Sequence, residues 1–178
     1  MSAKDKETDN NLIKSEQSGL SYKEVMAGEK DVLQGLEGVH VFVNPIEPEV
    51  EKYSLTEKDL QRDTELQLRQ HGIKMLTFEE WRSTSGMLCL WIEVVVLTAE
   101  ESTFAEASIV VELHENVLLL REPKRVCIVA ATWHRGNVWS GGTHSINKIR
   151  GHVKDLVSEF INDYLEANPK SEGSKNNK

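Results

Sequence analysis

The clearest hydrophobic periodicity in the chain lies near its C-terminal end. Ile146, Ile149, Val153, Leu156, Val157, Phe160, Ile161 and Tyr164 fall within about 140° of arc at helical spacing, which predicts an amphipathic helix. Thr143 or Ser145 can cap its start, and Pro169 ends it by disfavouring helical backbone at Asn168. A second helix is predicted from Thr56 to about Gln70. Thr56 and Asp59 stand at capping-box spacing, with Asp in place of the usual Glu, and Gly72 suits the left-handed position past the helix end. Leu60, Thr64 and Leu68 share its inner face, whereas Leu66 points elsewhere and is a candidate contact for another chain.

The remaining periodicity is two-residue. Val39–Val43 alternates and is ended by Asn44-Pro45; Ile73–Leu76 reads as a second short strand, followed by a helical turn at Thr77–Trp81. Leu88–Leu97 is apolar on both faces, which predicts a strand in the middle of its sheet. Ala105, Ala107, Ile109, Val111 and Leu113 face one way and Glu106, Ser108, Glu112 and His114 the other, as in a half-exposed antiparallel strand. That strand continues through Val117–Leu120 past a bulge near Glu115-Asn116, and Arg125–Trp133 supplies the last one. The order β-α-β-β-β-β-α predicts an α+β fold: a mixed, mainly antiparallel sheet with two helices packed on one face. Residues 31–169 form one domain between polar segments, 1–30 and 170–178, that read as disordered tails.

Charge narrows the partners. The chain carries −8, of which residues 1–30 hold −1 and residues 170–178 hold +2, leaving −9 on residues 31–169. A nucleic-acid partner needs a basic footprint that this domain lacks. No apolar run approaches the roughly 18 residues of a membrane span, and residues 1–30 lack the apolar core of a secretory signal. The chain is expected to be a soluble, acidic protein. Cys89 and Cys127 both sit in strand-like apolar runs and read as buried, inert thiols.

Chemistry concentrates in residues 133–145, Trp-His-Arg-Gly-Asn-Val-Trp-Ser-Gly-Gly-Thr-His-Ser, read as the loop from the last strand into the last helix. One reading is a structural connection with Trp133 and Trp139 packed on the core. The other is an anion site: Gly141, Gly142 and Thr143 would expose backbone N–H groups at a helix start, with His134, Arg135 and His144 adding charge or hydrogen bonds. Trp139, with Leu66, is also a candidate partner-facing residue. The glycine spacing fits neither a Walker motif nor a dinucleotide fold.

No catalytic residue is singled out. Gly-x-Ser-x-Gly is absent, and Ser140 lacks the surroundings of a nucleophile elbow. Both cysteines lie inside strands rather than at exposed turns, and pairs such as Glu79-Glu80, Glu100-Glu101 and Asp155/Glu159 read as solvated faces. His114, His134, His144 and His152 lack zinc-site spacing, so no metal or cofactor is called for. In the last helix, Lys148, Arg150 and Lys154 precede Asp155, Glu159, Asp163 and Glu166, an order that opposes the helix dipole. Either packing overrides it, or the basic half faces an anion.

Gly-Leu-Glu-Gly-Val (35–39), Leu-Thr-Glu (55–57), Glu-Leu-Gln-Leu-Arg-Gln-His-Gly-Ile (65–73), Ala-Thr-Trp (131–133) and Phe-Ile-Asn-Asp-Tyr-Leu-Glu-Ala-Asn-Pro (160–169) form a further pattern. Together they resemble a group of small uncharacterised bacterial proteins, many of which carry an export signal. The resemblance spans residues 33–169 and implies an α/β domain and an exported or periplasmic location; a cytoplasmic one is the alternative. It implies no activity. The sequence therefore reads as a non-enzymatic interaction or scaffold module of the bacterial cell envelope with a protein partner. The alternatives are a binder of small anionic ligands at residues 133–145 and, more remotely, a hydrolase.

Overall fold

A computed structural model describes residues 28, 30–99, 102–119 and 121–169, so the expected tails lie almost wholly outside the described residues. The fold is α+β, and the described residues form a four-stranded mixed sheet and four α-helices. In chain order these are β1 (His40–Val43), α1 (Pro48–Glu51), α2 (Glu57–Gln70), α3 (Phe78–Ser83), β2 (Cys89–Thr98), β3 (Phe104–Leu119), β4 (Glu122–Gly142) and α4 (Ile149–Ala167), with a 3-10 segment over Thr143–Lys148 before α4. The strands lie side by side in sequence order. β1 runs parallel to β2, and the other neighbours are antiparallel. The parallel pair needs a long crossover, which α1 to α3 supply.

The helix ends follow local chemistry. The Thr56 hydroxyl accepts from the Asp59 N–H at 3.1 Å and donates to its carboxylate at 2.9 Å, so the cap is only half a capping box. The reciprocal box forms instead at Thr77 and Glu80, at the start of α3. α2 closes in a Schellman arrangement: Gly72, at φ 79°, donates to Arg69 O and Ile73 to Leu68 O. Asn168 ends α4 by donating to the carbonyls of Leu33 and Tyr164 while accepting from Gly35 N–H.

One face of the sheet carries the core. Val41 and Val43, then Leu90, Ile92, Val94 and Val96, then Ala105 to Leu113 at every second position, lie in register and are buried. Leu60 and Leu68 of α2, with Val153, Val157 and Phe160 of α4, join that cluster. α2 contacts β1, α4 contacts β3 and β4, and the two helices contact each other. Trp133 is fully buried, edge-on to Phe160 at 5.1 Å.

Two expectations are corrected and one is refined. The strand at Ile73–Leu76 shrinks to a single bridge between Met75 and Val39, because Thr77 caps α3 immediately afterwards. The approach is close enough to require glycine at position 38, where a Cβ would stand 2.7 Å from Lys74 O. β2 is central, as expected, but its second face is open toward its C-terminal end, where Val95 and Leu97 remain 45% and 66% exposed. The last strand does not stop at Trp133. Residues 133–142, expected as a loop, continue β4 and pair with Leu113 back to Phe104.

Candidate functional site

The extension of β4 separates the residues proposed for an anion site. Trp133, Arg135, Asn137, Trp139 and Gly141 lie opposite the buried β3 positions, whereas His134, Gly136, Val138 and Ser140 lie opposite the outward ones. Side chains alternate along a strand, so His134 and Arg135 belong to opposite faces, and Arg135 stands about 23 Å along the strand from Gly142.

Arg135 is also already matched. Its Nη2 meets Asp163 Oδ2 at 2.9 Å, its Nε meets Glu159 Oε2 at 3.2 Å, and its guanidinium lies over the Trp133 ring at 5.0 Å. Trp133 Nε1 donates to the same Asp163 oxygen at 3.0 Å, and Lys30 Nζ approaches Oδ1 at 3.1 Å. Burial pushes the Asp163 carboxyl up, but the Trp133 hydrogen bond and the charges of Lys30 and Arg135 prevail and hold it below the usual carboxylate value.

The glycines have a local explanation. A Cβ on Gly141 would stand 2.7 Å from the Trp139 ring, and one on Gly142 would stand 2.5 Å from the His144 ring. Thr143 N–H donates to Thr103 O, and the 3-10 turn runs directly into α4, whose start has no side-chain cap. Trp139 is only 8% exposed and is a core residue rather than a partner contact; Leu66, at 50%, does face outward. The basic first half of α4 is partly explained too, because Arg150 is paired with Asp63 of α2.

The second sheet face is where unassigned chemistry collects. Val95, Leu97, Phe104 and Val138 are exposed along it. At its β1 end, rings from four elements meet. Phe42 of β1 stacks on Trp91 of β2 at 4.4 Å, and Trp91 stacks on His114 of β3 at 5.4 Å. His40 stacks on Trp81 of α3 at 5.4 Å and meets the edge of Phe78 at 6.2 Å. Two bonds fix the rings: His40 Nδ1 donates to Leu76 O at 3.0 Å, and Trp81 Nε1 donates to Met87 O at 2.7 Å. His114 Nε2 lies 2.6 Å from Glu112 Oε2, while its Nδ1 is buried without a partner.

These rings help to line a cleft of about 570 Å³ that takes in residues from both faces of the edge strand β1, together with Glu57 and Gln61 of α2 and Glu115, Asn116 and Val129 of the β3–β4 hairpin. That volume is in the range of small-molecule sites. Val129 has φ 63°, a left-handed conformation that a β-branched residue rarely adopts. It lies in a bulge, where residues 128 and 129 oppose Asn116 between the pairs Glu115↔Ala130 and Val117↔Cys127.

Cys89 lies on the cleft floor between His40 and His114 in the strand register, yet burial pushes its thiol up to about 12, so it stays a thiol. The side chain of Cys127 and the pair Glu100-Glu101 lie outside the described residues. Among the described residues, no group of three His, Cys, Asp or Glu side chains is placed to hold a metal. Sequence reading missed this cleft because it took the two apolar faces of β2 only as a sign of a central strand. Trp91, together with Phe78 and Trp81 three residues apart, was the available signal.

No protein-family model and no curated protein matches the chain. Solved structures show partial likenesses. A PelC variant dodecamer from Paraburkholderia phytofirmans aligns at 13% identity and TM-score 0.41, over 74% of this chain and 92% of the PelC chain. A minor lipoprotein from Acinetobacter baumannii aligns at 8% identity and TM-score 0.33, over 74% and 92% respectively. At these scores neither likeness bears on function.

Proposed function

We propose that this chain is a non-enzymatic binding module that takes up its ligand in the aromatic-walled cleft at the β1 edge of the sheet. The cleft itself carries the reading: it is concave, mostly apolar, built on strands rather than on a free loop, and bordered by a few polar groups. Rings held by stacking and by two backbone hydrogen bonds lose little freedom on binding, which favours affinity. An anion site at Gly141 and Gly142 is disfavoured, since Arg135 is matched by Asp163 about 23 Å along the strand and the His144 ring lies close to Gly142.

A fragment set of neutral, cationic and anionic small molecules, titrated into isotope-labelled full chain and followed by amide shifts, tests the proposal. Perturbations should cluster at residues 40–42, 78–91 and 112–116. Perturbations confined to other surfaces, or none at millimolar concentration, would overturn it. The resemblance seen in the sequence extends the proposal to location: the module works in the bacterial cell envelope. Fractionation of a native host that finds it only in the cytoplasm would remove that part.

A further inference from the structure

Accepting the cleft as the binding site, we infer that its ligand is a small organic cation, a protonated amine on an apolar or aromatic body. The cleft is acidic as well as aromatic: among the described residues that line it are Glu57 and Glu115 and no Lys or Arg. Neither carboxylate has a basic partner among the described residues. Glu115 Oε1 accepts only the neutral Thr132 hydroxyl, at 2.6 Å. The same bias holds along three described stretches of the open face. Its outward strand positions over Cys89–Leu97, Phe104–His114 and His134–Gly142 include Glu93, Glu106 and Glu112, and again no Lys or Arg. The core-facing side differs, since Arg135 there is matched by Asp163.

The ring geometry divides the labour. Phe42 and His114 reach Trp91 from strands on either side, so both faces of that indole are occupied and the cleft meets its edge. Aromatic edges carry partial positive charge and repel a cation. The apolar body therefore packs against the rings, and the ammonium goes to the carboxylates. A charge-assisted hydrogen bond there is stronger than a neutral one, enough for about five- to ten-fold in affinity. An anionic ligand would meet uncompensated carboxylates at the rim.

Three probes with one aromatic body separate the terms: phenethylammonium, 2-phenylethanol and phenylacetate, titrated against the full chain at neutral pH by amide shifts. The ammonium should bind about five- to ten-fold tighter than the alcohol, phenylacetate most weakly, and added salt should reduce only the ammonium's advantage. Glu115→Gln keeps an acceptor for Thr132 and should bring the ammonium down to the alcohol's affinity without changing the alcohol; Glu57→Gln, at the first turn of α2, is the second variant. Equal or tighter binding of the alcohol or of phenylacetate, with shifts still at the cleft, would overturn the cation and leave the binding site standing. No binding by any of the three would also overturn the cation. Only the wider fragment set failing at the cleft would remove the site.

Discussion

Arg150 and Asp63 join the two long helices through a two-point ion pair, with Nε–Oδ2 at 2.5 Å and Nη2–Oδ1 at 2.8 Å. The Arg150 hydrogen bond is the main reason that the Asp63 carboxyl sits below its ordinary value of 3.8 and the Arg150 guanidinium above its own. A carboxyl depressed in the folded state stabilises it at neutral pH, and that contribution is lost as pH falls from the unfolded value through the folded one. Asp63→Asn should therefore cost about 1–2 kcal/mol at pH 7. The gap from the parent protein should begin to narrow as pH falls below about 4 and go on narrowing until the pH has passed the folded value. Urea midpoints at pH 7 and over that range, with unchanged slopes, check this. A gap that persists in acid would mean that the pair contributes packing rather than charge.

Asp163 gathers three partners, and its two obvious substitutions should diverge. Asp163→Ala leaves the buried Trp133 N–H without its Asp163 acceptor and takes one carboxylate partner from Arg135, at a cost of about 2–4 kcal/mol. Asp163→Asn keeps an oxygen for the indole and should lose about half of that. Near-equal urea midpoints for the two variants would show that the Trp133 bond contributes little.

How legible these features were depends on the element. Both long helices could be read because their apolar stripes and end signals agree: Thr56, Gly72 and Pro169 stand where the boundaries fall, to within a residue or two. β4 beyond Trp133 could not. Its inward positions include Arg135 and Asn137, and its outward ones include the exposed Val138, so the usual alternation is inverted there. Arg135 tolerates that position only because Asp163 and Glu159, 28 and 24 residues later in the chain, come to meet it. The cleft was hidden for a related reason. Apolar residues on both faces of β2 signal two covering layers equally well as one layer and an open aromatic face, and only tertiary structure distinguishes them.

The paired glycines give a discriminating test of their structural role. Gly141→Ala presses a Cβ against Trp139, a ring locked in the core, and should cost about 1–3 kcal/mol. Gly142→Ala meets only the exposed His144 side chain, which can turn away, so its effect should stay within about 0.5 kcal/mol. Thermal midpoints with and without millimolar phosphate check both. If phosphate stabilised the parent protein and Gly142→Ala abolished that effect, the anion site would have to be restored.

Val129 supplies the last prediction, and its sign is the less usual one. Its left-handed backbone costs a β-branched residue about 1–2 kcal/mol, whereas glycine adopts it without steric penalty. Glycine gives part of that back through its greater freedom in the unfolded chain, roughly 0.5–1 kcal/mol. Because the Val129 side chain is more than half exposed, its removal forfeits little burial. Val129→Gly should therefore stabilise the fold by up to about 1 kcal/mol, read as a higher urea midpoint at constant slope. Val129→Ala removes almost as much side chain while keeping the Cβ that makes the conformation costly, so it should not stabilise. A gain from alanine equal to that from glycine would place the effect in the side chain and not in the strained backbone of the bulge.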